Sequence, residues 1–165
     1  MTPATDSCYE NVKNQIGFCG IWCGSCIVGN GSLREMAKRF GETLDAYGLR
    51  AWAPPDLEYD ELSRGLDAIG RIPVCPGCLK GGGRNGCEIR ACALNRGLES
   101  CTRCPEFGNC RHAEIVEKMR SGAAAAGLFV MREGDERDRI LPEWDARLRE
   151  RWPCCVLFHG GAQAS

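Results

Sequence analysis

Residues 75–110 read CPGCLKGGGRNGCEIRACALNRGLESCTRCPEFGNC, a stretch dense in cysteine and too poor in apolar residues to make a core of its own. The triple glycine at 81–83 makes a flexible loop. EIRACALNRG, residues 88–97, predicts a short helix with Gly97 just past its end, and the remainder is turns. Something other than packing has to order such a segment, and bound metal is the natural agent. The spacing agrees. Cys75/Cys78 and Cys101/Cys104 are C-x2-C pairs, and a third pair, Cys23/Cys26, lies upstream in CGIWCGSC at 19–26. That spacing lets two thiolates meet one metal while the backbone N–H groups between them point at the sulfurs. With Cys19, Cys87, Cys92 and Cys110 added, the pattern is far beyond what chance or core burial produces.

The chain has 165 residues and 13 cysteines. That length buries a modest core without crosslinks, so the cysteines are not there merely to staple a tiny fold. The N-terminus MTPATDSCYENVKNQ is polar and lacks both an apolar h-region and a cationic start, so no signal peptide is expected. The longest apolar run, AAAAGLFVM at 123–131, is too short to span a bilayer. The expectation is a cytoplasmic protein with no membrane segment. In that reducing compartment, clustered cysteines serve as metal ligands or redox catalysts more often than as disulfides.

Outside the cysteine groups the periodicity is helical, and the expected fold is small and mainly α, one domain over 1–165. SLREMAKRFGETLDAYGL sets Leu33, Met36, Ala37, Phe40, Leu44 and Tyr47 at three- and four-residue steps, with Ser32 as N-cap and Gly41 as a weak point. AWAPPD breaks the chain, after which residues 56–70 predict a second amphipathic helix capped by Asp56. HAEIVEKMRSG predicts a third, AAAAGLFVM a further one. DRILPEWDARLRERW carries Leu141, Trp144, Leu148 and Trp152 in helical register, broken or started at Pro142. The four tryptophans are expected to fill gaps between helices. The helices then surround a loop-rich centre made by 75–110, with the 19–26 loop docked onto it.

The opening CG-I-x-C-x2-C (Cys19, Gly20, Cys23, Cys26), the CPGC pair (Cys75, Cys78) and CEIRACALNRGLESCTRCPEFGNC (Cys87, Cys92, Cys101, Cys104, Cys110) together resemble a cysteine-rich domain family of unknown function, numbered 3795. The resemblance covers about residues 16–112 and leaves 113–165 as a helical extension. It implies a shared metal-binding fold in anaerobic bacteria and archaea, with those ten cysteines as ligands, and it supplies no activity.

Two metals compete. Cys75-x2-Cys78 with Cys101-x2-Cys104 is similar to a zinc ribbon or treble clef, a zinc-stapled module that binds protein or RNA and catalyses nothing. C-x3-C-x2-C at Cys19, Cys23 and Cys26 is the spacing with which radical S-adenosylmethionine enzymes hold three irons of a [4Fe–4S] cluster. Those enzymes need a barrel of some 200 residues, and no alternating strand and helix pattern exists here. The cluster survives that objection and the enzyme class does not. The leading expectation is therefore one or more [4Fe–4S] clusters that carry electrons or bind a small ligand at an open iron, with a redox or enzyme partner protein. Zn2+ is the alternative.

The remaining candidates are weaker. Seven basic residues against three acidic ones from Arg71 to Arg111 leave a local excess of four positive charges. These compensate a negative thiolate cluster; nucleic acid is not the expected partner, because no aromatic stacking series accompanies them. LKGGGRNG lacks the preceding strand and the Lys-Ser/Thr of a phosphate loop. His112 reads as an exposed helix-start residue, Cys8 as a free thiol, and Cys154 and Cys155 as core packing beside Val156 and Phe158; His159, near Cys155, has no third group to orient it as a Cys/His dyad.

Overall fold

A computed structural model describes residues 8–151. Among them, seven α-helices alternate with long turns: α1 Cys8–Val12, α2 Ser32–Ala46, α3 Leu49–Trp52, α4 Tyr59–Gly70, α5 Glu88–Asn95, α6 Ala113–Ala125 and α7 Arg137–Arg151. Strand pairing in this region is limited to two isolated antiparallel bridges, Ile16 with Trp22 and Ile21 with Val130. The small, mainly α architecture expected from the sequence is the one observed. No helix among the described residues is long and apolar enough to cross a membrane.

Two apolar clusters share the segment 16–22. In the first, Tyr9, Ile16, Trp22, Met131, Ile140, Trp144 and Leu148 are buried together, with Phe129 and Leu141 packed against them. Trp22 is its centre, with ring centroids 5.8 Å from both Phe129 and Trp144 and its indole N–H donating to the Lys13 carbonyl at 2.7 Å. The second cluster, Phe18, Cys19, Ile89, Ala93 and Val116, lies against the cysteine-rich region. It gives residues 75–110 a small core that their composition alone did not suggest.

α7 delivers Ile140, Trp144 and Leu148 to the first cluster from one face. It begins at Arg137 and runs through Pro142, so proline neither starts nor breaks it. The ring sits on the exposed side, and one lost backbone hydrogen bond is outweighed by the stripe of three buried side chains. The tail that follows, with Trp152, Cys154, Cys155 and His159, lies outside the described residues.

Tyr9 donates its hydroxyl to Asp145 on α7, tying the first described helix to the last. Burial would raise the Asp145 carboxyl, but the hydrogen bonds from Arg149 and Tyr9 and the charges of Arg149 and Lys13 hold it below its ordinary value. Stability from such a depressed carboxyl is complete above its unfolded pKa and is lost as the pH falls through the folded one. Tyr9→Phe is expected to cost about 1–3 kcal/mol and to flatten the acid limb of the stability curve. Denaturant midpoints at neutral and acid pH check this; equal midpoints for both proteins would count against the pair.

Other elements depart from expectation in instructive ways. Ser32 is not the cap of α2 but its first residue. The cap position is Gly31 at φ +80°, the buried Asn30 side chain accepts the Ser32 N–H at 3.0 Å, and the Ser32 hydroxyl is buried without a hydrogen bond. α4 starts at Tyr59, not after Asp56. Residues 128–131 do not continue as helix: Gly127, at φ +81°, ends the turn after α6. The chain then pairs with 20–22, the Trp22 N–H donating to Phe129 O at 2.9 Å and the Met131 N–H to Gly20 O at 2.8 Å. α2 packs on α4 as an arm in which only Ser32 and Ala37 are buried, so Phe40, Tyr47 and Leu57 remain exposed. Trp52, expected in a core gap, is 64% exposed.

Candidate metal centre

Each C-x2-C pair is built on a tight turn. One-turn 3₁₀ helices span Cys23–Ser25, Cys78–Lys80 and Cys101–Arg103. The Cys26 and Cys104 N–H groups close back on the Cys23 and Cys101 carbonyls at 3.1 Å. In CPGC the reversal needs Gly77 at φ +91°, where a Cβ would also stand 2.3 Å from Gln15 Oε1.

These turns gather round two cavities of about 260 Å³ each. Cys19, Cys23, Cys26, Cys75, Cys78 and Cys87 line the first, whose remaining wall is largely apolar, with Phe18, Ile21, Ile89, Met119 and Leu128. Cys92, Cys101, Cys104 and Cys110 line the second, together with Arg96, Glu106 and His112. All ten cysteines singled out in the sequence face one cavity or the other. Cys8 stands apart, in a close approach to Gly31.

The order of neighbours separates Cys19 from the pair that follows it in sequence. The thiol charges acting on Cys23 are those of Cys78, Cys75 and Cys26, whereas those acting on Cys19 are Cys78 and Cys87. Burial, first, and then neighbouring thiols raise Cys19, Cys23 and Cys101, the last two to about 11. Without a bound cation these thiols are protonated at neutral pH, so loading a metal must release protons.

Donors point at the sulfurs. The Cys78 N–H reaches Cys23 Sγ at 3.5 Å, and the Gly83 N–H reaches Cys75 Sγ at 3.2 Å. At the second cavity, Arg96 Nη1 donates to Cys104 Sγ at 3.5 Å and the His112 N–H to Cys110 Sγ at 3.4 Å. Gly82 permits the first arrangement, since a Cβ there would lie 2.7 Å from Cys75 Sγ. Arg96 also pairs with Glu106 at 2.5 Å. His112 is less exposed than its sequence position suggests: its side chain is 12% exposed, with Nδ1 3.3 Å from Glu88 Oε2.

Sequence reasoning missed the residues that hold the loops together. Gln15, 6% exposed, donates to the Pro76 carbonyl at 2.9 Å and accepts from the Leu79 N–H at 3.3 Å, clamping CPGC to the start of the first loop. Arg120 of α6 donates to the carbonyls of Cys19 and Met131 at 3.2 and 2.7 Å. Both work at long sequence separation, and nothing in the spacing of a lone glutamine or arginine signals that.

Among the described residues, no group of three or more His, Cys, Asp or Glu side chains is closed up to hold a single metal ion. Four thiolates on one zinc at about 2.3 Å must stand within about 4 Å of one another. The ten cysteines line the two cavities.

Residues 15–115 match a family described as "Protein of unknown function (DUF3795)". The chain belongs to that family. No curated protein and no solved structure matches it. The span matched within DUF3795 runs from Gln15 to Ile115 and includes every cysteine of both cavities, whereas Trp144 and Leu148, which close the first apolar cluster, lie beyond it.

Proposed function

We propose that this DUF3795 protein is an iron–sulfur protein with two [4Fe–4S] centres and that it transfers electrons to a partner protein. The observation that carries the proposal is the sorting of ten cysteines around two cavities, six and four. A mononuclear site needs thiolates at contact with one ion; a polynuclear cluster needs them spread round a volume. Cys92, Cys101, Cys104 and Cys110 hold one centre. Cys23, Cys26, Cys75 and Cys78 hold the other: they are the two C-x2-C pairs of the six-cysteine cavity, and the Cys78 N–H donates to Cys23 Sγ across them. Cys19 and Cys87 exceed that four-thiolate need.

A bound cluster of this kind supplies a one-electron couple. The chain's own residues set its environment. Phe18, Met119 and Leu128 keep water from the first cavity, while Arg96 places a cation beside Cys104 in the second. N–H donors on sulfur and a nearby cation favour the reduced, more negative state and so raise the potential. The positive excess of 71–111 offsets the charge of the thiolate-bound clusters.

A second reading keeps one specific observation in its favour: Cys23/Cys26 and Cys75/Cys78 are paired knuckles with N–H groups on sulfur, an arrangement that also suits structural zinc. Metal analysis after anaerobic purification separates the two. The expected result is about eight iron with equal acid-labile sulfide, a brown colour, and loss of about half the iron in each of Cys78→Ser and Cys104→Ser, one four-iron cluster per variant. Colourless protein with stoichiometric zinc and no sulfide overturns the iron–sulfur proposal in favour of a zinc-stapled module.

A further inference from the structure

The two cavities share a wall. Ile89, 2% exposed, lines both of them. It belongs to α5, which runs along that wall and brings a cysteine to each side. Cys87, at the helix N-cap, faces the six-cysteine cavity, and Cys92, on the helix itself, faces the four-cysteine cavity. Five residues of helix turn through about 500°, which leaves the two positions about 140° apart and explains how neighbours in sequence serve different cavities.

The other side of the wall is Phe18 and Cys19, both 7% exposed, packed with Ile89, Ala93 and Val116 in one cluster on which Cys78, Cys87 and Cys101 rest. A hydrogen bond crosses it: the Cys101 N–H, from a turn of the second cavity, donates at 2.8 Å to the carbonyl of Phe18, a residue of the first. Among neighbouring thiols, Cys19 of the first cavity acts most strongly on Cys101 of the second. The medium between the cavities is therefore buried, close-packed and one side chain thick at Ile89. Electron tunnelling falls off exponentially with distance, so such a wall conducts well.

We infer that the two centres form an electronically coupled pair that exchanges electrons through the wall made by Ile89, Cys19 and α5. The inference rests on the iron–sulfur proposal. The step is a bare electron transfer in which one centre is oxidised by one electron and the other reduced by one, with no bond or proton changing place. Linked in this way, two single-electron deliveries at one surface can be stored and released together to a two-electron acceptor.

Electron paramagnetic resonance of the anaerobic holoprotein, titrated with dithionite and with iron and sulfide measured on the same sample, tests the coupling. At low reduction, molecules carry one reduced centre and give a simple spectrum. At full reduction, the lines should broaden and split, and the interacting fraction should rise with the square of the reduced fraction. Cys104→Ser, with one centre removed, should show the simple spectrum at every stage, and the titration of the unaltered protein stands without that variant. Iron for two clusters with spectra that superpose at all levels of reduction overturns the coupling alone. Absence of iron and sulfide overturns the iron–sulfur proposal, and the coupling with it.

Discussion

Stripping the proposed metal from the anaerobic protein should unfold residues 75–110 and leave the helices elsewhere largely intact. In that segment only Ile89, Ala93 and Ser100 are buried apart from Gly77, and outside α5 its backbone is short turns. Structural metal sites contribute on the order of 10 kcal/mol of folding free energy, as much as the whole net stability of a typical domain. The cluster around Trp22 needs no such help, because its buried aromatics come from α1, the 16–22 segment, Phe129 and α7. Trypsin reads the difference directly. Lys80, Arg84, Arg90, Arg96 and Arg103 stand ready in the segment, and cleavage there should be fast without metal and slow with it. The proton arithmetic sets a direction as well. Since the partly buried Cys23 and Cys101 must lose protons to bind metal, their thiols pushed up to about 11, chelation should strip the protein more readily as the pH falls. A metal-free protein that resists trypsin as well as the loaded one would refute the view that metal orders the segment.

Trp22→Ala should be the most damaging single substitution in the described chain, at about 3–5 kcal/mol. The indole is fully buried and touches Tyr9, Phe129 and Trp144. Its removal opens a cavity among three aromatic rings and leaves the Lys13 carbonyl without its donor. The consequence should also reach the metal. A Cβ on Gly24 would lie 2.5 Å from the Trp22 ring, so the Cys23–Ser25 turn rests flat on the indole. Losing that support should lower occupancy at the centre that uses Cys23 and Cys26, together with the denaturant midpoint. Trp52→Ala is the matching control: the ring is 64% exposed, and the expected change is within about 0.5 kcal/mol. Comparable losses from the two substitutions would mean that the aromatic cluster is not the centre of stability.

Much of this was legible in the sequence wherever the governing interaction is short-range. Helical periodicity marked α2, α5, α6 and α7, and C-x2-C spacing marked the three knuckles, because both depend on residues two to four apart. The errors follow the same logic. Residues 128–131 have the composition of a helix, but pairing with 20–22, over a hundred residues away, holds them otherwise. Phe40 and Tyr47 have the right period for burial, yet the α2 and α4 arm offers no third layer to cover them.

By itself the sequence determined that this is a small, mainly helical, cysteine-rich DUF3795 protein. Only the tertiary structure decided how the ten cysteines of the two cavities divide. Cys19, Cys23 and Cys26, one loop in the sequence, line the same cavity, and the structure adds Cys75, Cys78 and Cys87 to them from residues about 50 positions or more away. Cys87 and Cys92 look like one unit and face opposite ways. Spacing fixes which residues can share a turn. Which turns meet is set by the burial of Trp22 and Ile89 and by the clamp of Gln15 on Pro76, contacts that span up to 122 residues and leave no local pattern.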